Sequence, residues 1–198
     1  NWFTDLITPR ASSLEMANDG YIVKGNLKNK PNQVIRLFEM TAEGLVFIDS
    51  SFTDKKGDFS VKGSTKELIF CALMVLDKQM VYLALNNATE ATLAIDATTT
   101  GINYTITGKN VEESQSLKDL LKLNEGFSSR IKALEAEASK LNPNTDEGFN
   151  KMQKLQADYY ANLSERAAAI LSFAKARPSS FIPFFILHFN VVQEPTIE

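Results

Sequence analysis

The hydrophobic periodicity changes abruptly near Asn110, and this change limits the fold more than any other feature of the sequence. Before Asn110, β-branched and aromatic residues alternate with polar residues, and turn-forming residues interrupt them at short intervals. After it, apolar residues recur at the three- and four-residue steps of an α-helix. The sequence therefore predicts an α+β protein in which the strands come first and the helices follow.

Eight strands are predicted before the change of period, because alternating segments are separated by hairpin-length turns. They lie at residues 20–27, 33–40, 45–52, 58–61, 68–76, 80–85, 91–95 and 103–107. Short connections join antiparallel neighbours, whereas consecutive parallel strands need a long crossover, usually a helix. We therefore expect residues 20–109 to form an antiparallel β-sandwich or open barrel, antiparallel throughout, preceded by an N-terminal segment at 1–19.

Residues 110–190 are predicted to be a helical spacer region that begins with two long helices. The first starts near Glu112 or near Ser116 and ends at the turn around Pro143. The second starts near Asp146 and stops before Pro178. Because the linker between them is short, the two helices are expected to form a long antiparallel helical hairpin.

A short apolar helix is predicted to follow the hairpin, around residues 179–189. A serine N-cap followed by a proline in the first turn marks its start. Since this helix is apolar on nearly every face, we expect it to be buried on several sides. Residues 191–198 lose the periodicity and are assigned to a tail or linker.

Composition excludes several classes of function. The net charge is −3, from 21 Lys and Arg against 24 Asp and Glu, so there is no basic footprint for nucleic acid. The longest apolar run, near residues 181–189, is about half of the roughly 20 residues that a transmembrane helix needs. A single Cys and a single His provide no metal-ligand set and no Cys-x-x-Cys pair. We therefore expect no catalytic, cofactor-binding or metal-binding residues, no nucleic-acid partner and no transmembrane segment.

Individual reactive residues are given structural roles. Cys71 lies in an apolar strand and is expected to be a buried small hydrophobe with a raised pKa. His188 lies in the apolar third helix and is expected to be a satisfied core or boundary histidine. Asp54 and Asp58 flank Gly57 in a turn that does not match a calcium loop. The acidic residues expected in the first turns of helices are Glu112, Glu113, Asp119, Asp146 and Glu147.

Several segments, in a fixed order, resemble a known family. Residues 20–25 begin and end with glycine, Asp49 and Ser50 precede a hairpin that contains Gly57 and Phe59, and residues 104–108 end in glycine before the first helix. This order resembles the domain of unknown function that precedes the thioredoxin-like domain in secreted thiol-disulfide oxidoreductases of Gram-negative bacteria. The resemblance covers about residues 20–189 and includes a short helix at the end of the spacer.

The resemblance implies a non-catalytic N-terminal recognition or assembly domain of a periplasmic thiol-disulfide oxidoreductase. It implies export to the periplasm or cell envelope, with the thioredoxin-like redox domain expected to be absent from this chain. The expected partners are a thioredoxin-like domain of the same polypeptide or a second subunit, and a substrate protein. The alternative is a stand-alone binding module of the cell envelope for glycan, peptide or protein. An enzyme with dispersed catalytic groups has no support in the sequence.

The candidate interaction surface is the aromatic part of the third helix. Its members, Phe181, Phe184, Phe185 and Phe189, cannot all share one narrow face of a helix. Some of these rings must therefore face away from the hairpin. Two interpretations stay open at this point: the sheet covers the other side of the helix, or part of this surface docks a second subunit or a redox domain.

Overall fold

The structure, a computed structural model, describes residues 20–76, 79–189 and 191. The predicted N-terminal segment at 1–19, the turn at Asp77 and Lys78 and nearly all of the predicted tail lie outside the described residues. The chain divides into two compact units, one up to Leu117 and one from Lys118 onward. The first unit contains the strands and the second contains most of the helical region.

All eight predicted strands are present, with ends within three residues of the predicted ones. They are β1 (Tyr21–Leu27), β2 (Val34–Thr41), β3 (Gly44–Phe52), β4 (Asp58–Gly63), β5 (Ile69–Leu76), β6 (Gln79–Leu85), β7 (Glu90–Thr98) and β8 (Gly101–Lys109). The agreement follows from the period of two, because side chains along β1 and β7 alternate between the core and the opposite face.

The strands form two four-stranded sheets, in the orders β4-β1-β7-β8 and β3-β2-β5-β6. Apolar side chains from both sheets share one core, in which Val23 and Leu93 from the first sheet join Leu37, Leu73 and Leu83 from the second. All five are at most 1% exposed. The predicted sandwich is therefore confirmed, and its sheets do not close into a barrel.

One strand pair contradicts the expectation of an antiparallel arrangement throughout. β1 and β7 pair in parallel, from Ile22 opposite Glu90 to Leu27 opposite Ile95. The prediction was wrong here because it considered only consecutive strands. β1 and β7 are separated in sequence by five strands that pass through both sheets, so β7 returns in the direction of β1 without a crossover helix among the described residues.

The turn before β4 is held by Asp54, as the sequence predicted. Its Oδ1 accepts hydrogen bonds from the backbone N–H groups of Lys56 at 2.7 Å and Asp58 at 3.0 Å. These bonds, with Asp58 the stronger and Lys56 next, lower the pKa of the Asp54 carboxyl. Gly57 has a φ of 89°, a left-handed conformation that favours glycine. The acidic residues are thus used by the turn.

The first helix, α1, spans Glu112–Ala138, so the earlier of its two predicted starts is the correct one. Asp119 consequently lies two turns inside the helix, and the expectation that it belongs to the first turn was wrong. The helix also ends a few residues before the predicted turn. The N–H groups of Lys140 and Leu141 bond to carbonyls three residues back, which tightens the chain before Pro143.

The second helix, α2, spans Asp146–Lys175, as predicted. Its N-cap is Thr145, whose Oγ1 accepts a hydrogen bond from the N–H of Gly148 at 3.1 Å. Within the helical unit, Arg166 Nε donates to Asn124 Oδ1 at 2.7 Å, and Asn162 Nδ2 donates to the Phe127 carbonyl at 3.2 Å. The contacting residues advance along α1, from Asn124 to Phe127, while they move back along α2, from Arg166 to Asn162. The two helices therefore run in opposite directions and form the predicted antiparallel hairpin.

The third helix, α3, spans Ile182–His188. Phe181 occupies the N-cap position, so the prediction of a serine N-cap was wrong by one residue. Ser180 still contributes, because its Oγ accepts a hydrogen bond from the N–H of Ile182 at 3.0 Å. Pro183 lies in the first turn, where its missing N–H group costs no intrahelical bond.

Candidate functional site

Cys71 lies at the centre of β5, between Glu39 of β2 and Leu83 of β6, and is completely buried. Burial, and secondarily the negative charge of Glu39, raises the pKa of its thiol to about 12. At neutral pH the thiol is therefore protonated and shielded from solvent, which disfavours its attack on a disulfide. The prediction of a structural cysteine is confirmed.

Tyr21, an aromatic whose exposure the sequence left open, is a buried polar residue. It is 3% exposed, and its hydroxyl has no hydrogen-bond partner among the described residues. Burial raises the pKa of this hydroxyl far above its usual range, and the nearby Cys71, Glu39 and Asp49 act in the same direction. The hydroxyl therefore stays protonated and available as a donor. The burial of Tyr21 is visible only in the structure, because a tyrosine in an alternating strand can lie on either face of the sheet.

The Tyr21 hydroxyl lies beside Gly63 at the base of an open cleft of about 610 Å³. A Cβ at Gly63 would collide with the hydroxyl oxygen, so this close approach requires glycine. Asp49 and Lys62 line the cleft, and Asp49 Oδ2 accepts a hydrogen bond from the backbone N–H of Lys62 at 2.9 Å. This bond connects β3 of one sheet to β4 of the other. Asp49, which the family pattern includes, thus has a structural role.

The charged groups at the cleft are mixed in sign, since Glu90 accompanies Asp49 and Lys62. Across residues 20–76, 79–189 and 191, no three His, Cys, Asp or Glu residues form a group that could hold a metal ion. The cleft therefore offers carboxylates and an ammonium group, whereas the Tyr21 hydroxyl itself is buried. Such a set can bind a polar ligand, but it contains no activated nucleophile.

A second exposed feature is the first half of β3, which the sequence reading did not single out. β3 is an edge strand, and its consecutive residues Leu45, Val46 and Phe47 are 45%, 52% and 57% exposed. Because successive side chains point to opposite faces, apolar side chains are about half exposed on both faces of this segment. The run of apolar residues at 45–48, which breaks the alternation of a half-buried strand, was the available signal.

The predicted aromatic surface on α3 is divided by the structure. Phe181 and Phe184 are exposed, Phe189 is half-buried and Phe185 is buried. Leu187, which the sequence reading did not include, is the most exposed large hydrophobic residue described, at 79%. The expectation that α3 is buried on several sides was therefore wrong, because only Ile182 and Phe185 are buried in it.

His188 is exposed at the end of α3, so the expectation of a core position for it was wrong. Its ring stacks on Phe184, with centroids 5.1 Å apart, and meets Phe189 edge-on at 4.8 Å. Phe184 and His188 are four residues apart and therefore adjacent on the helix surface, whereas Phe189 directly follows His188 as the C-cap. The result is a continuous aromatic face formed by Phe184, His188 and Phe189, with Phe181 and Leu187 exposed on the same short segment.

Comparison with known proteins gives one family match, and it lies in the first unit. Residues 21–114 match the family model described as "Domain of unknown function (DUF4369)". This match covers the whole β-sandwich and the start of α1. No curated protein matches the chain. Among solved structures, a crystal structure of (S)-allantoin synthase is similar at 8% identity and a TM-score of 0.38, over 47% of this chain and 46% of that one. A likeness this weak carries no conclusion about function.

The described residues also bear on membrane insertion. None of their helices combines the length and the apolar character that are needed to cross a bilayer.

Proposed function

We propose that this chain is a non-catalytic recognition and assembly domain of an exported, periplasmic thiol-disulfide oxidoreductase. Its partner is a thioredoxin-like domain, either of the same polypeptide or of a second subunit, which supplies the redox chemistry. The match of residues 21–114 to a domain of unknown function is compatible with this role and leaves the biochemical activity open.

The observation that carries the proposal is the apolar surface of α3. Phe181, Phe184 and Leu187 are each at least half exposed within a segment of seven residues. Aromatic side chains bury about 150 to 250 Å² each when they are fully covered, and about half of each ring is exposed here, so this patch is comparable to the largest apolar patch of a typical monomer, which is often functional. A covering partner would remove it from water, and this is the usual reason for such a patch in a folded protein.

The state of Cys71 supports a role without catalysis. A thiol-disulfide oxidoreductase needs an accessible thiolate and usually a second cysteine to resolve the mixed disulfide. This chain has a single cysteine, which is buried, and its thiol has a pKa near 12. The redox step must then be supplied by the partner domain, and this chain is expected to show no insulin reduction above the reagent blank.

The alternative, a stand-alone cell-envelope binding module, is favoured by one observation. The cleft at Tyr21 has a buried donor hydroxyl without a partner among the described residues, together with carboxylates at its rim. A glycan hydroxyl or a peptide N–H is a suitable donor to these carboxylates, and a shift of the Tyr21 ring would add its hydroxyl as a donor.

The docking proposal is tested with the full chain and a separately purified thioredoxin-like domain, taken from a protein in which both domains occur. Binding is measured by sedimentation velocity, which also reports self-association of the chain. Phe184→Ser and Leu187→Ser each remove an exposed apolar side chain from α3. Phe149→Ser is the matched control, because Phe149 is 53% exposed in α2 of the same unit.

We expect the two α3 variants to weaken docking or dimerisation by about tenfold or more, which corresponds to about 1.4 kcal/mol. The Phe149→Ser control should bind as the wild type does, and all three melting temperatures should stay close to the wild-type value. Equal binding by the α3 variants and the control, or no association of the wild type at all, would show that α3 is not a docking surface.

A further inference from the structure

We propose that residues 44–47 of β3, here called the open edge, bind an extended segment of a partner protein by β-strand addition. The partner segment alternates apolar side chains and carries a basic residue beside them. This site is separate from the α3 surface, and the inference does not depend on the docking role proposed above.

The backbone of the open edge is available for pairing. In the described sheet β3 pairs only with β2, through a register that runs from Phe38 opposite Phe47 to Thr41 opposite Gly44. An antiparallel strand directs alternate N–H and C=O groups to each side, so an edge strand presents a row of them outward. A partner strand that aligns with β3 would satisfy these groups with main-chain hydrogen bonds.

The other three sheet edges differ from the open edge because side chains cap their backbone groups. At β4, Asp49 accepts from the Lys62 N–H; at β6, the Ser114 hydroxyl bonds to both backbone groups of Ala84. At β8, Gln115 Nε2 donates to the Ile106 carbonyl at 2.9 Å. Among the described residues, Thr41 Oγ1 donates to the Gly44 carbonyl at 2.9 Å, at the turn, but no side chain forms such a bond with the backbone of residues 45–47.

The side chains of the open edge also lack the features that protect edge strands. Natural sheets place Lys or Pro on an edge to prevent further pairing. β3, with the sequence GLVFIDSSF, contains neither, and its residues 45–47 expose apolar side chains on both faces. The edge-to-face contact of Phe38 with Phe47, with centroids 6.0 Å apart, supports one face of this short ribbon. An added strand would cover apolar area on both faces at once.

A β-bulge marks the end of the open edge. The register shifts between Leu37, which is opposite Asp49, and Phe38, which is opposite Phe47, so Ile48 is the extra residue. Bulges bend a strand and redirect its side chains. Ile48 and Asp49 line the cleft at Tyr21, so an added strand that passes the bulge would enter this cleft.

Charge determines the kind of partner segment. Glu43 lies in the turn before the open edge, Glu39 is opposite Val46, and Asp49 follows the bulge. Cross-strand pairs of opposite charge are favourable, whereas like charges directly opposite each other are not. A lysine or arginine beside the apolar part of the partner segment would therefore be attracted to this edge.

The same charges disfavour a second copy of this chain as the occupant. Two open edges that paired antiparallel about Val46 would place Glu43 of each copy opposite Asp49 of the other. These carboxylates would repel each other at both ends of the new strand pair. A basic segment from a different protein would instead place positive charges near these carboxylates, which is favourable.

The test uses the full chain and a fluorescently labelled, capped ten-residue peptide of alternating valine and threonine with two lysines at each end. Fluorescence anisotropy measures its affinity. One control peptide has every internal backbone nitrogen methylated, which removes the N–H donors but keeps the side chains. A second control peptide replaces the lysines with glutamates. The protein variants are Val46→Lys and Phe47→Lys, with Leu171→Lys on α2 as the control for an exposed apolar position.

We expect the lysine peptide to bind the wild type, and both control peptides to bind at least tenfold more weakly. Val46→Lys and Phe47→Lys should weaken binding at least tenfold, and Leu171→Lys should leave it unchanged. The melting temperatures of the β3 variants should stay near the wild-type value, because both side chains are more than half exposed.

Three outcomes would overturn the proposal. The first is that the wild type does not bind the lysine peptide. The second is that the methylated peptide binds as tightly as the unmethylated one, or that the β3 variants bind the lysine peptide as tightly as the wild type does. The third is a wild-type dimer in sedimentation that Val46→Lys dissociates, which would assign the edge to a second copy. Because loss of docking by Leu187→Ser concerns α3 alone, failure of the docking proposal remains distinguishable from each of these results.

Discussion

Ser114 supports the exposed edge of the second sheet, and replacing it with alanine should destabilise the β unit. Its hydroxyl accepts a hydrogen bond from the Ala84 N–H at 2.9 Å and donates one to the Ala84 carbonyl at 3.0 Å. Ala84 lies in β6, the strand at the edge of its sheet, and both residues are at most 1% exposed. One side chain thus satisfies two backbone groups that a neighbouring strand would otherwise bond.

The expected cost of Ser114→Ala follows from those two bonds. A buried backbone donor or acceptor that loses its partner costs about 1 to 3 kcal/mol. Two such groups on one residue, partly relieved if water reaches the edge, suggest a loss of about 2 to 4 kcal/mol. Set against a total stability of about 5 to 15 kcal/mol for a typical domain, this is a large fraction.

Urea denaturation of the full chain measures the loss, and amide hydrogen exchange locates it. We expect the Ala84 amide to lose protection in Ser114→Ala, while amides in the centre of the sheet lose only what global destabilisation requires. Ser116→Ala is the matched control in the same helix and should change the stability by about 0.5 kcal/mol or less. If Ser114→Ala and Ser116→Ala were equally stable, or if Ala84 kept its full protection, the capping role would be refuted.

Two further predictions concern the core of the β unit. The raised pKa of Cys71 stabilises the folded state below the ordinary thiol value of 9.0, and this contribution is lost as the pH rises from there toward 12. Between pH 9 and pH 12, the free energy of unfolding should therefore fall more steeply with pH in the wild type than in Cys71→Ala, by up to about 1.4 kcal/mol per pH unit. Parallel stability curves for the two proteins would contradict this prediction. Gly63→Ala should cost about 1 to 3 kcal/mol in chemical denaturation, because the new Cβ meets the Tyr21 hydroxyl, whereas Gly101→Ala meets no atom within 4 Å. A loss in Gly63→Ala no larger than that in Gly101→Ala would show that the Tyr21 ring moves aside freely.

Much of the fold follows from local patterns in the chain. The period of two before Asn110 and the period of 3.6 after it predicted the eight strands and three helices of the described residues, because each period reflects the geometry of a single element. The turn at Asp54 and the acidic first turn of α2 were predictable for the same reason, since the groups involved are close in sequence. The burial of Cys71 followed from its apolar neighbours.

The features that define the candidate sites depend on residues distant in sequence. The parallel pairing of β1 with β7, the contact of Tyr21 with Gly63 and the capping of Ala84 by Ser114 each join segments between 30 and 68 residues apart. The phenylalanines of α3 illustrate the same limit. Their spacing showed that they could not share one face, yet only packing determined that Phe185 is buried while Phe184 is exposed. Local preferences specify the elements, whereas burial and edge exposure are set by how those elements pack, because both depend on neighbours that no local pattern contains.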